Sequence, residues 1–165
     1  MIARVIAASA ALMLLGGCAT RLDRVPIHDL SSATAQRLNC PLRLAQVVDA
    51  RPTQEAGLLG HYAFHFADVT TSIGDALQVL GWSSAADATP VTVSIQKLYI
   101  GGQNATRMGV AAFTVLPAGQ PAFVVRGQAA AMNWTGSQAS ATRILTEAVD
   151  EARAELVAEL NNTCK

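Results

Sequence analysis

Aromatic residues make up only 5% of this 165-residue chain, and histidine and cysteine occur three times each. That scarcity removes whole classes of chemistry. With His28, His61 and His65 as the sole imidazoles, and no Gly-x-Ser-x-Gly, HExxH or CxxC arrangement, the chain displays no nucleophile–base or metal-binding signature. The phosphate-cradling GxxxxGK and dinucleotide-binding GxGxxG loops are missing too, so neither enzymatic activity nor a cofactor is expected. Charge is sparse and balanced, with 12 Lys and Arg against 12 Asp and Glu. No basic excess exists to attract nucleic acid. Internal repeats and low-complexity tracts are absent, and after the first 15 residues no apolar run approaches the length of a membrane span.

His61 and His65 have the four-residue spacing that a helix turns into a metal-binding pair. Their neighbours Tyr62, Phe64 and Phe66 alternate at period two instead, and in a strand the two imidazoles stand about 13 Å apart. Gly60 also disfavours a helix there, so no metal site is assigned.

What the chain does have begins at its start. Arg4 precedes an uninterrupted apolar and small-residue run, Val5 to Leu15. As a helix these residues span about 16 Å, roughly half a bilayer's hydrocarbon core. The run therefore reads as the apolar region of a signal peptide covering residues 1–17. It ends in Leu15, Gly16, Gly17 and Cys18, which resembles the lipobox of bacterial lipoproteins. The resemblance implies thioether diacylglycerol attachment at Cys18, cleavage before it, and acylation of the new amino group, including by palmitate. Two or more acyl chains anchor a protein where one binds only marginally. Ala19, in place of the Asp used for enteric inner-membrane retention, implies an outer-membrane address facing the periplasm.

Removing residues 1–17 leaves 148 residues, enough for one core, with 11 Lys and Arg against 12 Asp and Glu. Residues 18–39 mix charge, Ser, Thr and Pro and read as a tether, with Leu22, Val25, Ile27 and Leu30 leaving open that it packs partly on the domain, and residues 40–165 read as a single domain. Once Cys18 carries lipid, Cys40 and Cys164 remain as an even pair. In an oxidising compartment they read as a disulfide joining the domain's entrance to its exit, the alternative being two buried thiols.

Within the domain, LRLAQVVDA (42–50) is a short buried strand ended by Arg51 and Pro52. A loop containing Gly57 and Gly60 follows, then a short extended piece with Tyr62, Phe64 and Phe66 on one face. Asp68, Thr70 and Thr71 are candidate caps for a helix running to about Leu80, stopped by Gly81. Three strands succeed one another over 91–100, 108–116 and 122–134, joined by GGQNAT and PAGQP turns. Gly127 and the alanines after it suggest a thin face where a helix packs closely. From Ser137 to Asn161 a stripe of Ala141, Ile144, Leu145, Ala148, Val149, Ala152, Leu156 and Leu160 predicts a long helix, terminated by Asn161 and Asn162. The fold class is α+β: a mixed four-stranded sheet in β-α-β-β-β-α order with two helices on one face.

Two charge patterns remain. Asp49 and Arg51, two apart, are placed to form an ion pair at a structural corner, worth ~0–1 kcal/mol as a surface pair. Glu147, Glu151, Glu155 and Glu159 recur every four residues, the pattern of a solvated helix face or of a surface that meets a basic partner.

With the lipobox, the DARP corner, the helix ending in LGW, the VSIQKLYI strand and the terminal helix in view, the chain resembles the YajG-like group of small bacterial lipoproteins over roughly residues 18–161. That group has no established catalytic activity. The resemblance implies a non-enzymatic, membrane-anchored envelope lipoprotein whose domain binds a protein or envelope component. The alternative is a lipid-handling auxiliary lipoprotein of an ABC-type envelope transport system, with Tyr62, Phe64 and Phe66 lining an acyl-chain groove or simply filling the core. The Cys40–Cys164 pairing is not taken from the resemblance.

Overall fold

The structure, a computed structural model, describes residues 20–22, 37–53, 55–59, 62–65, 68–103, 106–132 and 138–164. In chain order the elements are β1 (Thr20–Leu22), β2 (Leu42–Asp49), β3 (Glu55–Leu59), β4 (Tyr62–His65), α1 (Val69–Gln78), β5 (Thr89–Gln103), β6 (Thr106–Pro117), β7 (Phe123–Met132) and α2 (Gln138–Thr163). Strands β2, β5, β6 and β7 form the expected mixed four-stranded sheet in that spatial order. The first pair is parallel because α1 carries the chain across between β2 and β5, and the other two are hairpin-connected and antiparallel.

Strand alternation builds the core. Val91, Val93 and Ile95 point to the inner face of β5. A register shift between Ile95 and Lys97 then inserts a residue, so Leu98 and Ile100 continue on that face. Ala111, Phe113 and Val115 of β6 and Val125 of β7 complete it. Against this face lie Ile73 and Leu77 of α1 and the predicted stripe of α2, which is buried throughout and, apart from Ile144, forms one cluster with β2's Leu42. Each fully buried Leu or Ile contributes roughly 2 kcal/mol of transfer free energy.

The long helix sits unusually near the sheet because two glycines make room. A Cβ on Gly127 would run into the Ala148 carbonyl oxygen and lie 2.5 Å from the Ala152 amide nitrogen, and one on Gly109 would come within 2.6 Å of Ile144 Cγ2. Neighbouring alanines on both sides extend this notch. The thin face suggested by the sequence is where α2 crosses.

Side chains tie the two helices together. The guanidinium of Arg153, 4% exposed, donates through Nη1 to the Ala76 carbonyl at 3.1 Å. That carbonyl belongs to the last turn of α1, where helical partners run out and a cation is favoured. Trp82 Nε1 donates to the adjacent Leu77 carbonyl at 2.7 Å. At the start of α1, Asp68 accepts from the Thr71 amide as expected of a cap. Arg153 Nη2 also pairs with Asp150 Oδ1 at 2.8 Å, a charge contact not aligned as a hydrogen bond. Burial pushes the Asp150 carboxyl above its ordinary range despite that neighbour.

Several readings depart from expectation: β2, expected to be buried on much of both faces, stands at the end of its sheet, and among its residues only Leu42 is buried. The segment read as a loop contains β3, which pairs antiparallel with β4 across a register shift between Glu55 and Leu58. Gly57 falls inside that shift, the local signature of a bulge rather than of a loop. Strand β1 adds to β4 in parallel, giving a second sheet in the order β1-β4-β3 that sequence periodicity did not indicate. Gly101, Gly102 and Gln103, read as turn, continue β5 and pair with Met108, Arg107 and Thr106. Helix α2 runs past Asn161 to Thr163. Instead of ending it, Asn161 accepts from the Asn39 amide at 2.8 Å and donates to the Arg37 carbonyl at 3.1 Å.

Candidate functional site

The predicted lipidation residue Cys18 and its preceding Leu15, Gly16 and Gly17 lie outside the described residues, as do His28, His61 and Phe66. His65 ends β4, in agreement with the extended reading of that segment. The side chains of Tyr62 and Phe64, invoked for an acyl-chain groove, are also outside what is described. Among the described residues no group of three or more His, Cys, Asp or Glu is placed to hold a metal ion. Nor is any described helix long and apolar enough to cross a membrane.

Cys40 and Cys164 are joined by a disulfide, with their Cα atoms 6.1 Å apart across 124 residues of sequence. It binds the approach to β2 to the end of α2, beside the Asn161 contacts with Arg37 and Asn39. Leu38 and Cys40 are themselves buried in the core at this seam.

The Asp49–Arg51 corner is more than a surface pair. Arg51 Nε and Nη2 donate to Asp49 Oδ1 and Oδ2, both at 2.8 Å, and the Arg51 amide donates to Oδ1 at 3.2 Å. The Arg51 side chain is 3% exposed, so this fork is desolvated at one end. The hydrogen bonds from Arg51 hold the Asp49 carboxyl below its ordinary range, outweighing partial burial. Next to the corner opens a cleft of about 370 Å³ lined by Arg51, Pro52, Thr53 and the β5 residues Gln96, Lys97, Leu98 and Tyr99.

The glutamate stripe has an internal use. Glu155 Oε2 accepts the Arg126 backbone amide at 2.5 Å and Glu151 Oε2 accepts that of Gln128 at 2.6 Å. Both amides belong to β7, the strand at the sheet's end. Two carboxylates thereby occupy an edge that would otherwise offer donors to another strand. Glu147 pairs with Arg143 one turn earlier at 3.0 Å. Reading these residues as a freely solvated face was incomplete, because α2 lies so close to the sheet that its glutamates reach β7.

The sheet's outer face was not singled out from sequence. Register aligns Lys97, Ala112 and Arg126 in one row across β5, β6 and β7, with Tyr99, Val110 and Gln128 in the next. Beyond them lie Gly101, Met108 and Ala130; on the other side lie Ser94, Thr114 and Val124, followed by Thr92 and Leu116. Leu116 is 49%, Val124 50% and Met132 77% exposed, and Tyr99 and Met108 more than a third. In the four strands the only carboxylate is Asp49, already held by Arg51, whereas Arg43, Lys97 and Arg126 are exposed cations. Helix α2 has the opposite balance, with Glu147, Asp150, Glu151, Glu155 and Glu159 against Arg143 and Arg153. The signal that could have found this face is the alternation within FVVRGQAAAM; the inserted residue at Gln96 hides its counterpart on β5.

No protein-family model matches the sequence, and no curated protein does. Among solved structures, the chain is similar to protein XCC0632 from Xanthomonas campestris, assigned to the DUF330 family model. That likeness has a TM-score of 0.46 at 13% identity and covers 79% of this chain and 93% of that one.

Proposed function

We propose that the chain is a non-enzymatic bacterial envelope lipoprotein, anchored in the outer membrane through acylated Cys18, whose periplasm-facing domain binds a protein or envelope component. The observation that carries this reading is the LLGGC pattern closing a short apolar run at residues 14–18. The disulfide between Cys40 and Cys164 supports it independently, because such bonds persist in oxidising compartments outside the cytosol. The YajG-like resemblance belongs to the same proposal. A second reading, a lipid-handling accessory of an ABC-type envelope transporter, draws support from the cleft beside Lys97 and Tyr99.

The test is acyl labelling of cells expressing the full chain. Labelled palmitate is expected on the wild-type protein, with mass spectrometry placing it on an N-terminal cysteine, and on none of the Cys18→Ser variant. Wild-type protein that takes up no label and leaves the membrane in carbonate defeats the anchored reading. Native mass spectrometry of the purified protein separates the two functional readings: co-purifying phospholipid favours the second, and a crosslinked protein partner without lipid favours the first.

A further inference from the structure

The geometry points to the outer face of the four-stranded sheet as a docking surface for an anionic phospholipid bilayer. The inference rests on the anchored reading above and adds the domain's orientation to it. Charge complementarity is the first argument: Lys97 and Arg126 flank buried Ala112 in a single row, Arg43 is exposed on β2, and the only carboxylate in these strands is held by Arg51. Apolar side chains on both sides of that row supply the second. Tyr99 and Met108 on one side, with Met132 at its far corner, and Val124 and Leu116 on the other surround the cations with groups that enter the interfacial region of a membrane. An acidic peptide would satisfy the cations but leave this apolar surround unexplained.

Chain length is the third argument. The first strand of the fold, β1, starts at Thr20, two residues after Cys18. Two residues reach about 7 Å even when extended. Strand β1 pairs with β4, β4 with β3, and β3 packs against β5, the strand that carries Lys97 and Tyr99. A lipid on Cys18 therefore holds the folded domain against the bilayer instead of suspending it on a long leash. With one face cationic and apolar and α2 acidic, the domain lands on the sheet and turns α2 towards the aqueous side.

The experiment uses the full chain purified from membranes and reconstituted into phosphatidylcholine vesicles with or without a quarter of phosphatidylglycerol. Tryptophan is introduced at Val124→Trp on the sheet or at Glu159→Trp on α2, each read as the difference from the unsubstituted chain with its native Trp82 and Trp134, and brominated acyl chains serve as quencher. The expected result is quenching several-fold stronger at position 124 than at 159, enhanced by phosphatidylglycerol and weakened by salt. Each cation near an anionic surface changes docking about fivefold, so Lys97→Gln with Arg126→Gln should lower the docked-to-undocked ratio by about 25-fold, whereas Lys97→Arg retains it. Equal quenching at the two positions overturns the proposal, as does a position-124 emission that responds to poly-glutamate but not to phosphatidylglycerol. Flotation with neutral vesicles reports the anchor separately: a chain that does not float fails the anchored reading, and one that floats with no sheet-side quenching fails only this inference.

Discussion

The two faces of the four-stranded sheet are made by the same strands, residue alternating with residue, yet they are built to opposite specifications. The inner face is closed by shape: glycine at 109 and 127 lets α2 settle almost on the backbone, and Ile73, Leu77 and Phe113 fill what remains. The outer face is organised by chemistry, with cations in register and partly exposed Met, Leu, Val and Tyr around them. Close packing tolerates almost no change of volume, whereas a solvated surface tolerates most. Structural and functional substitutions should therefore separate by face.

The strongest way to break that contrast is Gly127→Val, which drives a branched side chain into the backbone of α2. A loss of about 4 kcal/mol or more is expected in urea denaturation, and a loss below 1 would mean the helix can lift off freely. Cutting the Cys40–Cys164 link with paired serines should cost about 2–4 kcal/mol, read as a lower denaturation midpoint that matches reduced wild type. Next comes the corner at the end of β2. Asp49→Asn should cost about 2 kcal/mol at neutral pH through loss of its charged hydrogen bonds. Because Arg51 lowers the Asp49 pKa, its contribution is fully present above the ordinary 3.8 and lost as pH falls through the folded value. The gap between wild type and variant should accordingly close below that pH; a gap independent of pH would assign the effect to packing alone. Smallest is the outer face itself, where Leu116→Ser and Met132→Ser should each shift stability by no more than about 0.5 kcal/mol while reducing vesicle docking. A large destabilisation there would show that the face is core.

The sequence carries these two faces unequally. Helix α2 was legible because a period of 3.6 follows directly from backbone geometry, and β6 and β7 because Gly- and Pro-bearing turns bound them. The thin notch was legible too, since Gly127 among alanines has few other uses. What escaped is whatever depends on partners distant along the chain. Strand β1 is three residues long and β3 is interrupted near Gly57, so neither supplies enough alternation to be counted. The Lys97–Ala112–Arg126 row needs register across two hairpins, and the shift at Gln96 reverses the parity that would place Lys97. The glutamate repeat was plain, but its acceptor role towards β7 depends on how near α2 sits.

Arg153 also has a consequence in time. The carbonyl it caps on α1 lies 77 residues earlier, the Asn161–Asn39 bond spans 122 residues, and the disulfide 124. These three clasps on the first half of the domain are thus delivered by its final helix. A chain emerging residue by residue, from a ribosome or through a membrane pore, cannot close these three early; contacts of this range form late and slowly. Until α2 arrives, the approach to β2 and the end of α1 lack these clasps, and its arrival supplies all three together.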